Sequence, residues 1–148
     1  MNQQQIQECM MSIPFFKGMT EDEVHELSTM NSNILGFEEG ERVVRQDEVD
    51  KAFYVVLDGS LSVTRDKPPE VFLAQLVPGS LFGELTLRAD RPRTSSITAD
   101  NEVLVFKVNT SLLSKLSPPI SSKFKDRIIA HLVKRLDELN GKLAQFVR

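Results

Sequence analysis

AFYVVLDGSLSVT, residues 52–64, sets two β-rich runs on either side of Asp58-Gly59. Aromatic and β-branched side chains fill both runs, as pleated, half-buried strands favour. Asp-Gly between two such runs is a strong hairpin signal. The same texture continues outward in both directions. ERVVRQ, VFLAQL, SSITA and EVLVFKV follow one another from about residue 33 to residue 108. Turn signals separate them at Glu39-Gly40, Lys67-Pro68-Pro69, Pro78-Gly79 and Ala99-Asp100-Asn101. Short strands at this spacing predict an antiparallel sandwich, barrel or jelly roll.

The period changes at both ends. Before residue 33, Thr20 and Glu23 have capping-box spacing, and Val24, Leu27 and Met30 follow at helical spacing. Phe15 and Phe16 read as core anchors in a packed connector. After Val108, Asn109 or Thr110 can cap a short helix through Leu116, which Ser117-Pro118-Pro119 breaks. A last helix is expected from Ser121 or Ser122. On it Ile129, Leu136 and Leu143 repeat every seven residues, as do Leu132, Leu139 and Phe146, an a/d heptad pattern. That stripe either packs on the chain's own β domain or forms a two-stranded coiled coil; the homodimer is the expectation, because the stripe is long. Asn140-Gly141 is the weak point where the helix could end.

The chain has 148 residues, enough for one domain that buries its own core. Its net charge of −3 carries no basic excess of the kind non-specific nucleic-acid binding leaves. The single cysteine, Cys9, cannot form a disulfide within the chain, and a reducing cytoplasm is the default reading. Cys9 reads as an inert thiol. No apolar run is long enough to span a bilayer. His25 and His131 both fall on expected helices, and no histidine cluster or Ser-His-Asp set marks an enzyme.

Residues 81–99, LFGELTLRADRPRTSSITA, carry the chemistry. Gly79 and Gly83 precede a short helix expected near Glu84, and a helix N-terminus favours anions. Arg93 adds a guanidinium fork matched to phosphate. The small residues after it let a ligand approach the backbone. A carboxylate beside a phosphate is repulsive unless it accepts hydrogen bonds, and a ribose hydroxyl donates one. A ligand between Glu84 and Arg93 would therefore be a sugar carrying a phosphate, a nucleotide. The alternative is a Glu84–Arg93 salt bridge closing a surface loop.

Phe82-Gly83-Glu84-Leu85-Thr86-Leu87, followed by Pro92-Arg93-Thr94-Ser95-Ser96-Ile97, resembles the phosphate-binding cassette of the cyclic nucleotide-binding domain family. DKAFYVVLDGSLSV (residues 50–63), LVPGSLFGE (76–84), Gly40 and the lead-in IPFFKGMTEDEVHEL are similar to other parts of that family, so the resemblance covers nearly the whole chain. It implies a mainly β fold with flanking helices (α+β): an antiparallel β-roll or jelly-roll barrel with N-terminal helices and a long C-terminal helix. Residues 1–32 would be the helices, 33–108 the β-roll with its cassette at 82–97, and 109–148 a hinge, lid and dimerisation segment of one domain. Glu84 and the Gly83 backbone would hold the ribose 2′-hydroxyl, and Arg93 the cyclic phosphate. Backbone N–H groups of Thr86 and Thr94 would complete the cradle beside Ser95. Leu85, Val71 and Leu73 would pack on sugar and base. Thr86 replaces the commoner alanine, and Asp47 stands where glycine is frequent. Thr94 resembles members that favour cGMP, although some cAMP binders also carry threonine there.

The implied function is a non-catalytic sensor with cAMP or cGMP as ligand, no other cofactor and no metal, in which ligand repositions the last helix. It resembles a stand-alone, bacterial-type member of the group that includes catabolite activators and protein kinase A regulatory subunits. Catabolite activator-type regulators continue into a helix-turn-helix, for which there is no room before Arg148, so no nucleic-acid contact is expected of this chain alone. The alternatives are the sensor part of a larger regulator or signalling protein, and a dimeric adaptor that binds no ligand. The Lys and Arg residues of KFKDRIIAHLVKR are expected on a solvated helix face or against an effector protein.

Overall fold

A computed structural model describes residues 1–44, 52–65, 71–83 and 95–146. The first unit, Met1–Lys115, starts with helix α1 (Gln3–Ser12), a 3₁₀ turn (Pro14–Phe16), helix α2 (Glu21–Ser28) and a second 3₁₀ turn (Asn31–Asn33). Both helices start with capping boxes. In α2 the Glu23 amide donates to Thr20 Oγ1 at 3.2 Å, and the Thr20 amide donates to Glu23 Oε1 at 2.8 Å. In α1 Asn2 and Gln5 make the same reciprocal pair, which the sequence reading had passed over. Each box satisfies donors that a helix N-terminus otherwise leaves without a partner.

Eight strands follow: β1 (Ile34–Phe37), β2 (Arg42–Val44), β3 (Phe53–Asp58), β4 (Leu61–Arg65), β5 (Val71–Leu76), β6 (Leu81–Phe82), β7 (Ser96–Ala99) and β8 (Val103–Val108). They form two four-stranded sheets, β1-β8-β3-β6 and β2-β7-β4-β5, with every pairing antiparallel. This is the expected β-roll with flanking helices, but it is not a closed barrel. No ladder among the described residues joins one sheet to the other.

The hairpin expected at Asp58-Gly59 is a correction. β3 pairs with β8 and β6, whereas β4 pairs with β7 and β5. Gly59, at φ +83°, turns the chain tightly as foreseen, but carries it from one sheet to the other. The reason lies in the turns at the same end of the roll. Chain segments 38–41 and 100–102 also cross between sheets there, and the crossings bind one another. Gly40 donates its amide to Ala99 O at 2.9 Å, Asp100 to Ser60 O at 2.9 Å, and Ser60 to Asn101 Oδ1 at 2.9 Å. Ser62 Oγ adds a 2.6 Å bond to Asp100 Oδ1.

The burial of β3 on both faces accounts for its unbroken apolar run. Tyr54 and Val56 join Leu61, Phe82, Ile97, Ala99, Val103 and Val105 between the sheets. Phe53 faces the N-terminal connector: Phe15 stands edge-on to it at 6.0 Å, and Phe16 to Phe106 at 6.1 Å. Both anchors read from IPFFKGM are thus buried. Helix α3 (Thr110–Lys115) closes the unit, with Asn109 rather than Thr110 as its cap, accepting from the Leu112 amide at 2.8 Å.

The second unit, Leu116–Arg148, is built on helix α4 (Pro118–Phe146). Pro118 and Pro119 open this helix instead of delaying it to Ser121. A proline lacks only an N–H that the first turn leaves unused, and its φ is already helical. The Ser121 amide donates to Ser117 O at 2.9 Å. Asn140-Gly141 does not end the helix, which runs on to Phe146.

Candidate functional site

The cassette joins the two sheets, leaving β6 after Phe82 and arriving at β7 from Ser95. Phe82 is buried and stacks on Tyr54, with ring centroids 4.9 Å apart and planes 13° apart. That contact anchors the segment's start to β3. Gly83 follows with φ +84°, a left-handed conformation that side chains disfavour. Ser95 is half-buried at the other end. Glu84, Leu85, Thr86, Arg93 and Thr94 lie outside the described residues, as does Asp47.

Val71 and Leu73 lie on β5, and the register explains their setting. Leu61, Val63 and Arg65 alternate with Ser62 and Thr64 along β4, and Leu61 and Val63 belong to the layer between the sheets. Val71 pairs with Arg65, so it points to that same side, yet it is 45% exposed. Leu73 has no partner on β4: the ladder passes from Val63–Ala74 to Thr64–Phe72, leaving it as the extra residue of a β-bulge, 46% exposed. Bulges re-aim side chains and are common beside binding sites. Two apolar side chains are thus left uncovered at positions the resemblance assigned to sugar and base.

On the outer face of the second sheet, a shallow groove of about 560 Å³ is lined by Gly40, Arg42, Ser62, Thr64, Phe72, Thr98 and Asp100. Arg42 donates from Nη1 to the buried Ser96 Oγ at 3.2 Å. Sequence reasoning had not picked out this face. Its signal was available in the small hydroxyl residues at alternating positions 62, 64, 96 and 98.

The other chemistry-bearing side chains have ordinary surroundings. His25 Nδ1 lies 3.0 Å from Gln3 Nε2 and 3.2 Å from Gln7 Oε1, tying α2 to α1. Burial pushes the Cys9 thiol above its usual range, and the carboxylates of Asp58 and Glu8 push it further the same way. A thiol held neutral is a poor nucleophile. No three His, Cys, Asp or Glu side chains gather as a metal site among the described residues. No helix among them is long and apolar enough to cross a membrane.

Comparison with known proteins bears on the whole arrangement. The chain is 27% identical over 96 residues to the cAMP-dependent protein kinase regulatory subunit of Dictyostelium discoideum, covering 62% of this chain and 29% of that protein. It is 31% identical over 99 residues to the cAMP-dependent protein kinase type II regulatory subunit of Drosophila melanogaster, covering 66% of this chain and 26% of that one. The chain therefore spans little more than a quarter of these relatives. The crystal structure of the Thermus thermophilus catabolite activator protein superposes with a TM-score of 0.73 at 25% identity, over 90% of this chain and 63% of that one. The family described as the cyclic nucleotide-binding domain matches residues 34–117, from the first strand of the roll to the residue before α4. With more than half its length matched, and with the two-sheet roll in place, the chain belongs to the cyclic nucleotide-binding domain family.

Proposed function

We propose that this chain binds a cyclic nucleotide, cAMP or cGMP, in the cassette between β6 and β7 and acts as a non-catalytic regulatory module of the cytoplasm, organised as one domain over residues 1–148. The observation that carries the reading is the family match over residues 34–117, which contains Phe82-Gly83-Glu84-Leu85-Thr86-Leu87 and Pro92-Arg93 without a gap. Glu84 and the Gly83 backbone hold the ribose 2′-hydroxyl. Arg93 pairs with the cyclic phosphate, and backbone N–H groups of Thr86 and Thr94 complete the cradle next to Ser95. Leu85, Val71 and Leu73 pack on sugar and base. The exposure of Val71 on the inward side of β5, and of Leu73 in the bulge, supports this.

The energetics constrain the design. Micromolar affinity requires about 8 kcal/mol, whereas one charge-assisted arginine pair contributes roughly 1.5–3 kcal/mol. The ribose bond, the backbone donors and apolar burial supply the remainder. Replacing Arg93 by Ala lowers affinity roughly tenfold to a hundredfold, in line with that arginine contribution. Titration calorimetry with cAMP and with cGMP, on the wild type and on Arg93→Ala, tests the assignment. Binding of either nucleotide that the mutant loses establishes a sensor and its ligand preference. Absence of binding to both leaves a ligand-free adaptor, with Glu84 and Arg93 as a structural pair.

Two faces of α4 support a homodimer. Ile120 and Phe124 are buried, whereas Ile129, Leu132, Leu136, Leu139 and Leu143 are exposed. At about 100° per residue the exposed stripe lies roughly 130° around the helix from the buried one. One helix thus presents a second apolar face, of coiled-coil period, to a second copy of the chain. Ligand then acts by repositioning α4, which changes the dimer's geometry or its docking to an effector protein. Amide exchange along α4 that is the same with and without ligand would contradict that step.

A further inference from the structure

We infer that the outer edge of β5, which pairs with no second strand among the described residues, is a docking site for an extended peptide segment of a partner protein, added as a fifth strand to the sheet β2-β7-β4-β5. A sheet edge offers a row of backbone N–H and C=O groups to any chain that can pair with them. Folded proteins blunt such edges with short strands, charges, prolines or bulges, and three of the four edges here are blunted. β6 has two residues. β2 has three, carries Arg42 and shifts register against β7. β1 has four, with a glycine at Gly36, and runs into Glu38-Glu39.

β5 differs from all three. It has six residues, VFLAQL, with no charge and no proline, and its first five are exposed. Its one protective device is the bulge at Leu73, which leaves residues 74–76 in regular antiparallel register with β4. Val71 and Leu73 are assigned to the nucleotide site. Phe72 is not: it pairs with Thr64 on the opposite face and is 61% exposed beside a floor of hydroxyl groups. Nothing in the nucleotide site explains an uncovered aromatic ring there.

The chemistry of the edge defines the occupant. A fifth strand gains main-chain hydrogen bonds along β5 and places alternate side chains on the two faces. No charge on β5 calls for an opposite charge, so the matching segment is uncharged and rich in β-branched residues, with one apolar side chain against Phe72. The size of the edge favours a peptide over a second folded copy. Six residues make an edge of about 20 Å. A single strand pairing of that length buries far less than the roughly 1,200 Å² of a stable protein–protein interface.

The test is residue-resolved. The ¹⁵N-labelled full chain is titrated with the blocked peptide acetyl-Thr-Val-Thr-Val-Thr-Thr-amide, and the amide shifts and exchange rates of β5 are read. The expected result is saturable shifts and slowed exchange at β5, weakened at least tenfold in Phe72→Lys. The thermal midpoint of that variant stays unchanged, because the side chain is mostly in water. A peptide with proline at its central position, which lacks a backbone donor, is expected not to bind. Unchanged β5 amides at millimolar peptide overturn the proposal, as does equal binding of the proline peptide. Concentration-dependent protection of β5 in the free protein also overturns it, since a second copy would then hold the edge.

Discussion

Replacing Gly59 by Ala separates two costs that a positive-φ glycine conceals, provided Gly40→Ala is measured beside it. Both residues have nearly the same backbone conformation, φ +83° at Gly59 and φ +87° at Gly40. For either, an L side chain in the left-handed region costs about 1–2 kcal/mol. They differ in what the new methyl group meets. At Gly40 nothing lies within 4 Å of the added carbon. At Gly59 the carbon would fall on the Glu102 carbonyl oxygen, with Asn101 Oδ1 and Val103 Cγ2 each 2.9 Å away. Backbone oxygen cannot rotate away, so the two sheet crossings must part. That movement strains the bond from the Ser60 amide to Asn101 Oδ1 and the bond from the Asp100 amide to Ser60 O, each worth about 0.5–1.5 kcal/mol. The total for Gly59→Ala is on the order of 2–5 kcal/mol, against about 1–2 kcal/mol for Gly40→Ala. At roughly 2–4 °C per kcal/mol for a chain of this size, the Gly59 variant melts on the order of 10 °C lower and the Gly40 variant only a few degrees lower. Urea unfolding of both variants, with the slope of the transition compared to wild type, gives the two free energies directly. Equal losses in the two variants would refute the reasoning, because the clash at the crossing would then contribute nothing.

Three further outcomes follow from local geometry. Gly141 lies inside α4 with open space around it, so Gly141→Ala stabilises the helix by about 0.5–1 kcal/mol and slows amide exchange at residues 140–143 roughly two- to fivefold. Leu139→Asp puts a charge into the exposed heptad stripe; sedimentation is expected to find a dimer for wild type and a monomer for the variant, and a wild-type monomer at high micromolar concentration would remove the coiled coil. Cys9 has its ionisation held above the usual thiol range by burial and by the neighbouring carboxylates. Its alkylation by iodoacetamide therefore rises with pH along a curve displaced upward from that of a free cysteine. The sign for stability runs the same way: the folded state resists losing the proton, so this group lowers stability only as pH climbs past the unfolded thiol's pKa. An alkylation curve at or below the free-thiol position would contradict that environment.

Much of this protein was legible in its sequence because much of it rests on interactions between near neighbours. The Thr20–Glu23 capping box and the tight turn at Gly59 each involve groups a few residues apart and were read in place, and Asn109 was one of the two caps the sequence offered for α3. The motif from Phe82 to Ile97 is likewise contiguous, and it pointed to the family that the comparison over residues 34–117 establishes. Pro118-Pro119 was misread because the same residue stops a helix from inside and starts one from its first turn. Which applies depends on the chain that follows.

Strand partnership was decided only by the tertiary structure. β3 and β4 are joined by a single tight turn and still go to different sheets, because three crossings hydrogen-bond to one another at that end of the roll. The pairing of β4 with β7 on its other side leaves β5 at an edge, where the β4–β5 ladder puts Leu73 into a bulge and Phe72 is mostly exposed. Local propensity acts between neighbours along the chain, whereas β3 and β4 are assigned to their sheets by partners such as β8 and β7, about thirty to fifty-five positions away, which no short window of sequence contains.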